Sequence, residues 1–94
     1  MAAKPEVRKS LRIDKWLWHA RFCKTRAIAQ TRAIRGHIRL NGRRVEKPGT
    51  VIRAGDIMTL VAGGRVMVLR VLALGERRGP ALEARTLYEI IEDA

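Results

Sequence analysis

Apolar residues first fall into a helical rhythm at Ile13, Trp16, Leu17 and Ala20, spaced i, i+3, i+4 and i+7. Asp14 stands in the first turn, where a carboxylate suits the positive end of a helix. Trp18 and Phe22 lie about opposite this stripe, beside Lys15; they are read as covering the C-terminal helix or the sheet, with stacking on unpaired bases as the alternative. A second helix is predicted from Thr25, a good N-cap, to just before Gly36, a good residue to follow a helix. Its apolar arc is shallow, made of Ala27, Ala29, Ala33 and Ile34, and small enough for two helices to approach closely. Arg26 and Gln30 intrude on that arc.

From His37 the rhythm changes to period two. Ile38 and Leu40 alternate with His37 and Arg39, and Asn41-Gly42 is the preferred two-residue turn of a hairpin. Pro48-Gly49 and Gly55-Asp56 mark further turns. A strand is predicted over 57–62, a turn at Gly63-Gly64 and a longer strand over 65–74. After Pro80 the common face of Ala84, Leu87, Tyr88 and Ile91 predicts a closing helix. The reading is an α+β domain: two N-terminal helices packed on a small antiparallel sheet, with a C-terminal helix. The echo TRAI at Thr25–Ile28 and Thr31–Ile34 is offset by about 240° around a helix, so it is not a structural repeat.

The chain has 94 residues, enough for one small domain. Residues 1–10 are polar and basic and read as a flexible arm; residues 11–94 read as the domain. Charge changes the picture. The net charge is +11, which fits a polyanionic partner. It is also segregated: residues 1–53 hold 15 of the 20 basic groups and 3 of the 9 acidic ones, net +12, and the remainder is net −1. The first half therefore reads as a binding surface and the second as scaffold. In the predicted hairpin register Leu40 pairs with Arg43 and Arg39 with Arg44. Like charges directly opposite destabilise a hairpin unless an anion lies between them. Arg12, Lys15, Arg21, Lys24, Arg26, Arg32 and Arg35 extend the same positive field over the helices. Thr25, besides capping, opens a helix N-terminus flanked by Lys24 and Arg26, an arrangement suited to phosphate.

Catalytic chemistry is poorly supported, and no enzyme activity, metal or cofactor is expected. The single cysteine, Cys23, allows no internal disulfide and suits a reducing compartment. His19 and Cys23 lie four apart, but structural zinc takes four ligands; a solvated histidine and a half-buried thiol are expected instead. Ser10, the sole serine, sits in the arm, so no serine–histidine–acid set can be drawn. No signal core or membrane-spanning run is found; the longest apolar run is interrupted by Arg70. A soluble cytoplasmic monomer is expected. A helix-turn-helix protein on DNA is the alternative reading.

The run RIDKWLWHARFCKTRAIA, followed by GHIRLNG and KPGTVIRAGDIMTL, resembles the S-four RNA-binding domain (the αL RNA-binding motif) over about residues 11–60. The resemblance rests on Arg12-Ile13-Asp14, the Thr25-Arg26 helix start, Gly36, the run from Ile38 to Asn41-Gly42, and Gly55-Asp56. Within that family, DKWLWHARFCKTR and RRGPALEARTLYE look most like the bacterial heat shock protein 15 group. The resemblance implies binding of rRNA and tRNA on free large ribosomal subunits that carry a nascent chain. By position it also implies that Arg12, Lys15, Arg21, Lys24, Thr25, Arg26, Gln30, His37, Arg39 and Asn41 face RNA, and the hairpin adds Arg43 and Arg44 to that set.

Overall fold

A computed structural model describes residues 9–62 and 64–93. Residues 1–8 of the expected arm lie outside the described residues; Lys9 and Ser10 are exposed. The chain enters through β1 (Leu11–Arg12) and turns directly into α1 (Ile13–His19). The Ile13 amide donates to the Thr50 carbonyl at 2.7 Å, which ties the start of α1 to the loop before β4 (Val51–Ile52). β1 and β4 form a two-stranded antiparallel sheet, with Leu11 opposite Ile52.

The apolar stripe of α1 is buried as its spacing predicts: Ile13, Trp16, Leu17 and Ala20 all lie in the core. Trp16 keeps its polar edge satisfied by donating Nε1–H to the Ala73 carbonyl at 2.9 Å. α1 closes with a Schellman turn, in which Phe22 N–H reaches the Leu17 carbonyl and Arg21 N–H the Trp18 carbonyl. The residue in the left-handed position of that turn is Arg21, at φ 64°, where glycine is usual.

α2 (Arg26–Ile34) starts at Thr25, whose Oγ1 accepts from Ile28 N–H at 3.1 Å. Its buried face is narrower than predicted. Ala29 and Ala33 are fully buried against α1, whereas Ala27 and Ile34 of the expected arc are exposed. Two alanines suffice because they bring the helices close, and the flanking Arg26 and Gln30 turn toward α1.

The main sheet is all antiparallel and runs in the order β3 (Arg43–Arg44), β2 (Ile38–Leu40), β5 (Ile57–Ala62), β6 (Arg65–Val71) and β7 (Tyr88–Asp93). β2 (Ile38–Leu40) and β3 (Arg43–Arg44) pair in the predicted register, Leu40 with Arg43 and Arg39 with Arg44. Asn41 and Gly42 take φ 51° and 84°, the left-handed values of the two-residue turn. β5 (Ile57–Ala62) pairs β2 on one side and β6 (Arg65–Val71) on the other. Ile38, Met58, Leu60, Leu69 and Val71 are buried and complete the core under the helices.

The C-terminal segment departs from the expectation. The helix after Pro80 is a single turn, α3 (Ala81–Ala84), followed by a 3₁₀ turn over Arg85–Leu87. Tyr88–Asp93 is a strand, β7, on the edge of β6, with a register shift at Val68/Leu69. The predicted strand over 65–74 accordingly stops at Val71, and the Leu72 and Ala73 amides both bond to the Leu87 carbonyl. Tyr88, Ile90 and Ile91 are aromatic or β-branched, and the open edge of β6 offers them a full row of backbone partners. Of the expected helical face, Ala84 and Leu87 are buried and Tyr88 packs on Phe22 with ring centroids 4.7 Å apart. Phe22 also meets Trp16 at 6.0 Å, so it packs inward.

Gly36 ends α2 at φ 79°, and a Cβ there would meet the Arg44 guanidinium, with Nε only 2.5 Å away. Gly42 shares the left-handed conformation but has open space around it. The guanidinium is the far end of an exposed, flexible side chain and can swing aside, so Gly36→Ala and Gly42→Ala are both expected to bear chiefly the backbone cost of about 1–2 kcal/mol. Thermal melts of the two variants check this; a much lower melting temperature for Gly36→Ala would mean that Arg44 is held in place.

Candidate nucleic-acid interface

The centre of the basic surface is an acid. Asp14 is fully buried, and its two oxygens collect three of the residues expected to face RNA. Arg12 donates to both, at 3.2 and 2.9 Å. Gln30 donates at 3.3 Å, and Arg26 approaches at 3.5 Å. Burial pushes the Asp14 carboxyl up, but the hydrogen bonds from Arg12 and Gln30 and the Arg12 charge outweigh it and hold the group below its usual value. One negative charge thus fixes two guanidinium groups and an amide at the junction of β1, α1 and α2. Arg12 and Arg26 keep about half of their side chains exposed, 50% and 41%, so their outer edges remain open to a ligand. Arg26 Nε is enclosed and has no hydrogen-bond partner among the described residues. Lys15 is half-buried on α1 of this cluster, and Lys24 is exposed beside Thr25 at the start of α2. Sequence reasoning assigned Asp14 only to the helix dipole; the signal that it also anchors cations was the intrusion of Arg26 and Gln30 on the apolar arc.

The hairpin forms a second group. Ile38 and Leu40 point into the core, so the intervening Arg39 projects from the opposite face of the sheet, and its partner Arg44 with it. Arg39, Arg43 and Arg44 are all exposed, and their side chains make no ion pair or hydrogen bond among the described residues. Arg44 lies along the sheet edge against Gly36, at the end of α2. The expected RNA-facing residues of these two groups thus lie at the Asp14 cluster and on the β2–β3 hairpin.

Other expected residues have structural bonds. Asn41 Oδ1 accepts from Ile57 N–H at 2.9 Å and its amide donates to Asp56 Oδ1 at 3.2 Å, which locks the hairpin turn onto the Gly55-Asp56 turn. Arg21 Nε donates to the Gly79 carbonyl at 2.7 Å. His37 is exposed in an open groove of ≈ 610 Å³ with Ile28, Thr31, Arg32, Arg35 and Val61.

His19 and Cys23 are both buried. The expected solvated histidine is instead buried, with Nδ1 3.2 Å from the Leu74 carbonyl, because the segment after β6 folds over α1. Cys23 is buried more completely than expected, and burial pushes its thiol up despite the opposing charge of Arg32, so it stays protonated.

Two short helices joined by a Schellman turn, a buried carboxylate that holds Arg12, Arg26 and Gln30, and a β-hairpin with exposed arginines make up an α+β module whose exposed positive charge lies on the helices and the hairpin. The comparisons with known proteins specify which one. Residues 11–58 match the S4 domain, and the chain belongs to that family. It is 43% identical to Heat shock protein 15 of Escherichia coli over 95% of this chain and 65% of that protein. The chain thus spans 65%, less than two thirds, of the length of that relative. It is also 31% identical to the RQC P-site tRNA stabilizing factor of Listeria monocytogenes over 89% of each chain. The structure of Heat Shock Protein 15 from Vibrio cholerae, described as trimeric, superposes with a TM-score of 0.81 at 35% identity, covering 87% of this chain and 82% of that one.

Proposed function

We propose that the chain is an RNA-binding protein of the large ribosomal subunit, acting on rRNA and on tRNA held there with its nascent chain, and that it catalyses no reaction. The observation that carries the reading is the Asp14 cluster together with the hairpin arginines: cations held in place with their outer edges exposed, in a family whose matched domain covers the same residues. The names of the relatives, a heat shock protein and a factor stabilizing P-site tRNA, support the ribosome as the place of action and the cytoplasm as the compartment. No helix among the described residues is long and apolar enough to cross a membrane. Duplex DNA recognition by α1 and α2 leaves the hairpin arginines unexplained. The chain acts as a monomer in this reading, and sedimentation of the free protein separates that from a trimer like the Vibrio cholerae protein.

Electrostatic binding of this kind has a measurable signature. If about six phosphates are neutralised, log K for free large subunits falls against log[salt] with a slope of about −4 to −5. A slope near zero would contradict binding through phosphate.

A further inference from the structure

The second part of the loop between β6 and α3, residues 75–80, belongs to the half of the sequence that carries no charge excess. The fold nevertheless lays it on α1. The Arg21 guanidinium straps the Gly79 carbonyl at 2.7 Å, and Arg21 does so from the left-handed position that closes α1. A side chain there is strained, whereas glycine is not; the strap is what an arginine adds at this position. Gly79 is buried beneath it. The next residue back, Arg78, places its guanidinium carbon 5.9 Å from the centre of the Trp18 ring, and its Nε is enclosed without a hydrogen-bond partner among the described residues. Arg77 in the same loop is held by Glu83 at 3.0 Å. Trp18 itself is half-buried and, unlike Trp16 and Phe22, takes no part in the aromatic contacts around Tyr88.

We propose that Trp18 and Arg78 form a stacking platform for an unpaired RNA base, a third contact beyond the Asp14 cluster and the hairpin. A guanidinium over an indole face is attracted to it and so restricted in position, and guanidinium and aromatic planes are surfaces on which splayed-out bases stack. The ligand is a base rather than phosphate alone, because a site for phosphate needs charge but not an indole under the cation. Placement beside Arg21 joins the platform to α1. This inference rests on the RNA-binding reading and refines it: the chain distinguishes single-stranded elements from continuous duplex.

The test uses the full chain with a short single-stranded oligoribonucleotide and the blunt duplex of the same sequence. Trp16 is fully buried, so quenching by a bound base reports on Trp18. The single strand is expected to quench tryptophan fluorescence. Arg78→Ala is expected to weaken single-strand binding by about tenfold and duplex binding by less than about twofold, in keeping with one lost stack. Arg85→Ala, which removes an exposed arginine in the 3₁₀ turn after α3, is expected to change neither. Equal weakening of both RNAs by Arg78→Ala, or a bound single strand without quenching, overturns the platform. If Arg78→Ala binds both RNAs normally while loss of Arg39 and Arg44 weakens them, the platform is wrong and RNA binding stands. If the hairpin arginines are also dispensable, the RNA reading fails and the platform with it.

Discussion

Replacing Arg39 and Arg44 together by glutamine is expected to lower affinity for structured RNA at least about a hundredfold without unfolding the domain. The two residues face each other across the hairpin and have no acidic partner among the described residues, so their charge is available to a ligand. A hydrogen bond to a charged group contributes about 1.5–3 kcal/mol, and losing two exceeds the ~2.7 kcal/mol that a hundredfold change requires. Free-state stability stays level or rises slightly, because like charges directly opposite on a hairpin repel. Arg70→Gln with Arg85→Gln removes the same formal charge; Arg70 is already paired with Glu89 at 2.9 Å, and Arg85 sits in the 3₁₀ turn. This control is expected to weaken binding by less than about threefold. Fluorescence anisotropy with a labelled rRNA fragment reads both pairs. Equal losses would show that net charge alone governs binding.

The second large effect falls on Asp14. Removing one partner of a buried ion pair commonly costs about 3–5 kcal/mol. Arg12 and Arg26 are half-exposed, so water takes up part of the released charge, and Asp14→Ala is expected to cost about 2–3 kcal/mol. For a domain of this size that lowers the melting temperature by on the order of 10 °C or more. RNA affinity drops as well, since Arg12, Arg26 and Gln30 lose their common anchor. Acid provides a second check. The folded-state value of Asp14 lies below its unfolded value, so the folded protein binds fewer protons. Its stabilisation is therefore complete above about pH 4 and disappears as pH falls through the lowered folded value. Asp14→Asn is expected to be less stable than the parent at neutral pH and to show a shallower loss of stability below pH 4. Parallel acid titrations of the two proteins would contradict the clamp.

Much of this was legible from local pattern. The α1 stripe, the Thr25 cap and the Asn41-Gly42 register follow from side-chain spacing and backbone preference within a few residues, and the structure places them as read. What the sequence hid depends on partners far along the chain. Tyr88–Asp93 has helical spacing in part, but the open edge of β6 decides its conformation, and that edge is invisible until the sheet is assembled. Asp14 and Gln30 meet only because two alanines let α1 and α2 pack closely. Arg21, Asn41 and the loop at 75–80 show the same effect on the site: side chains that read as free cations or donors are also used to fasten one segment to another. The hairpin arginines were readable as a pair, yet the face they occupy was not, because strand alternation fixes the face of Arg39 only once the side covered by the helices is known.

Competition between a folded rRNA fragment and duplex DNA of equal length, at one fixed salt concentration, tests RNA recognition most directly. Cations arranged around the Asp14 cluster and the sheet edge should accept the folded RNA at a concentration at least about tenfold below that of the DNA, with heparin no better than the DNA. Equal displacement by RNA, DNA and heparin would contradict recognition and leave only attraction of a basic chain for any polyanion.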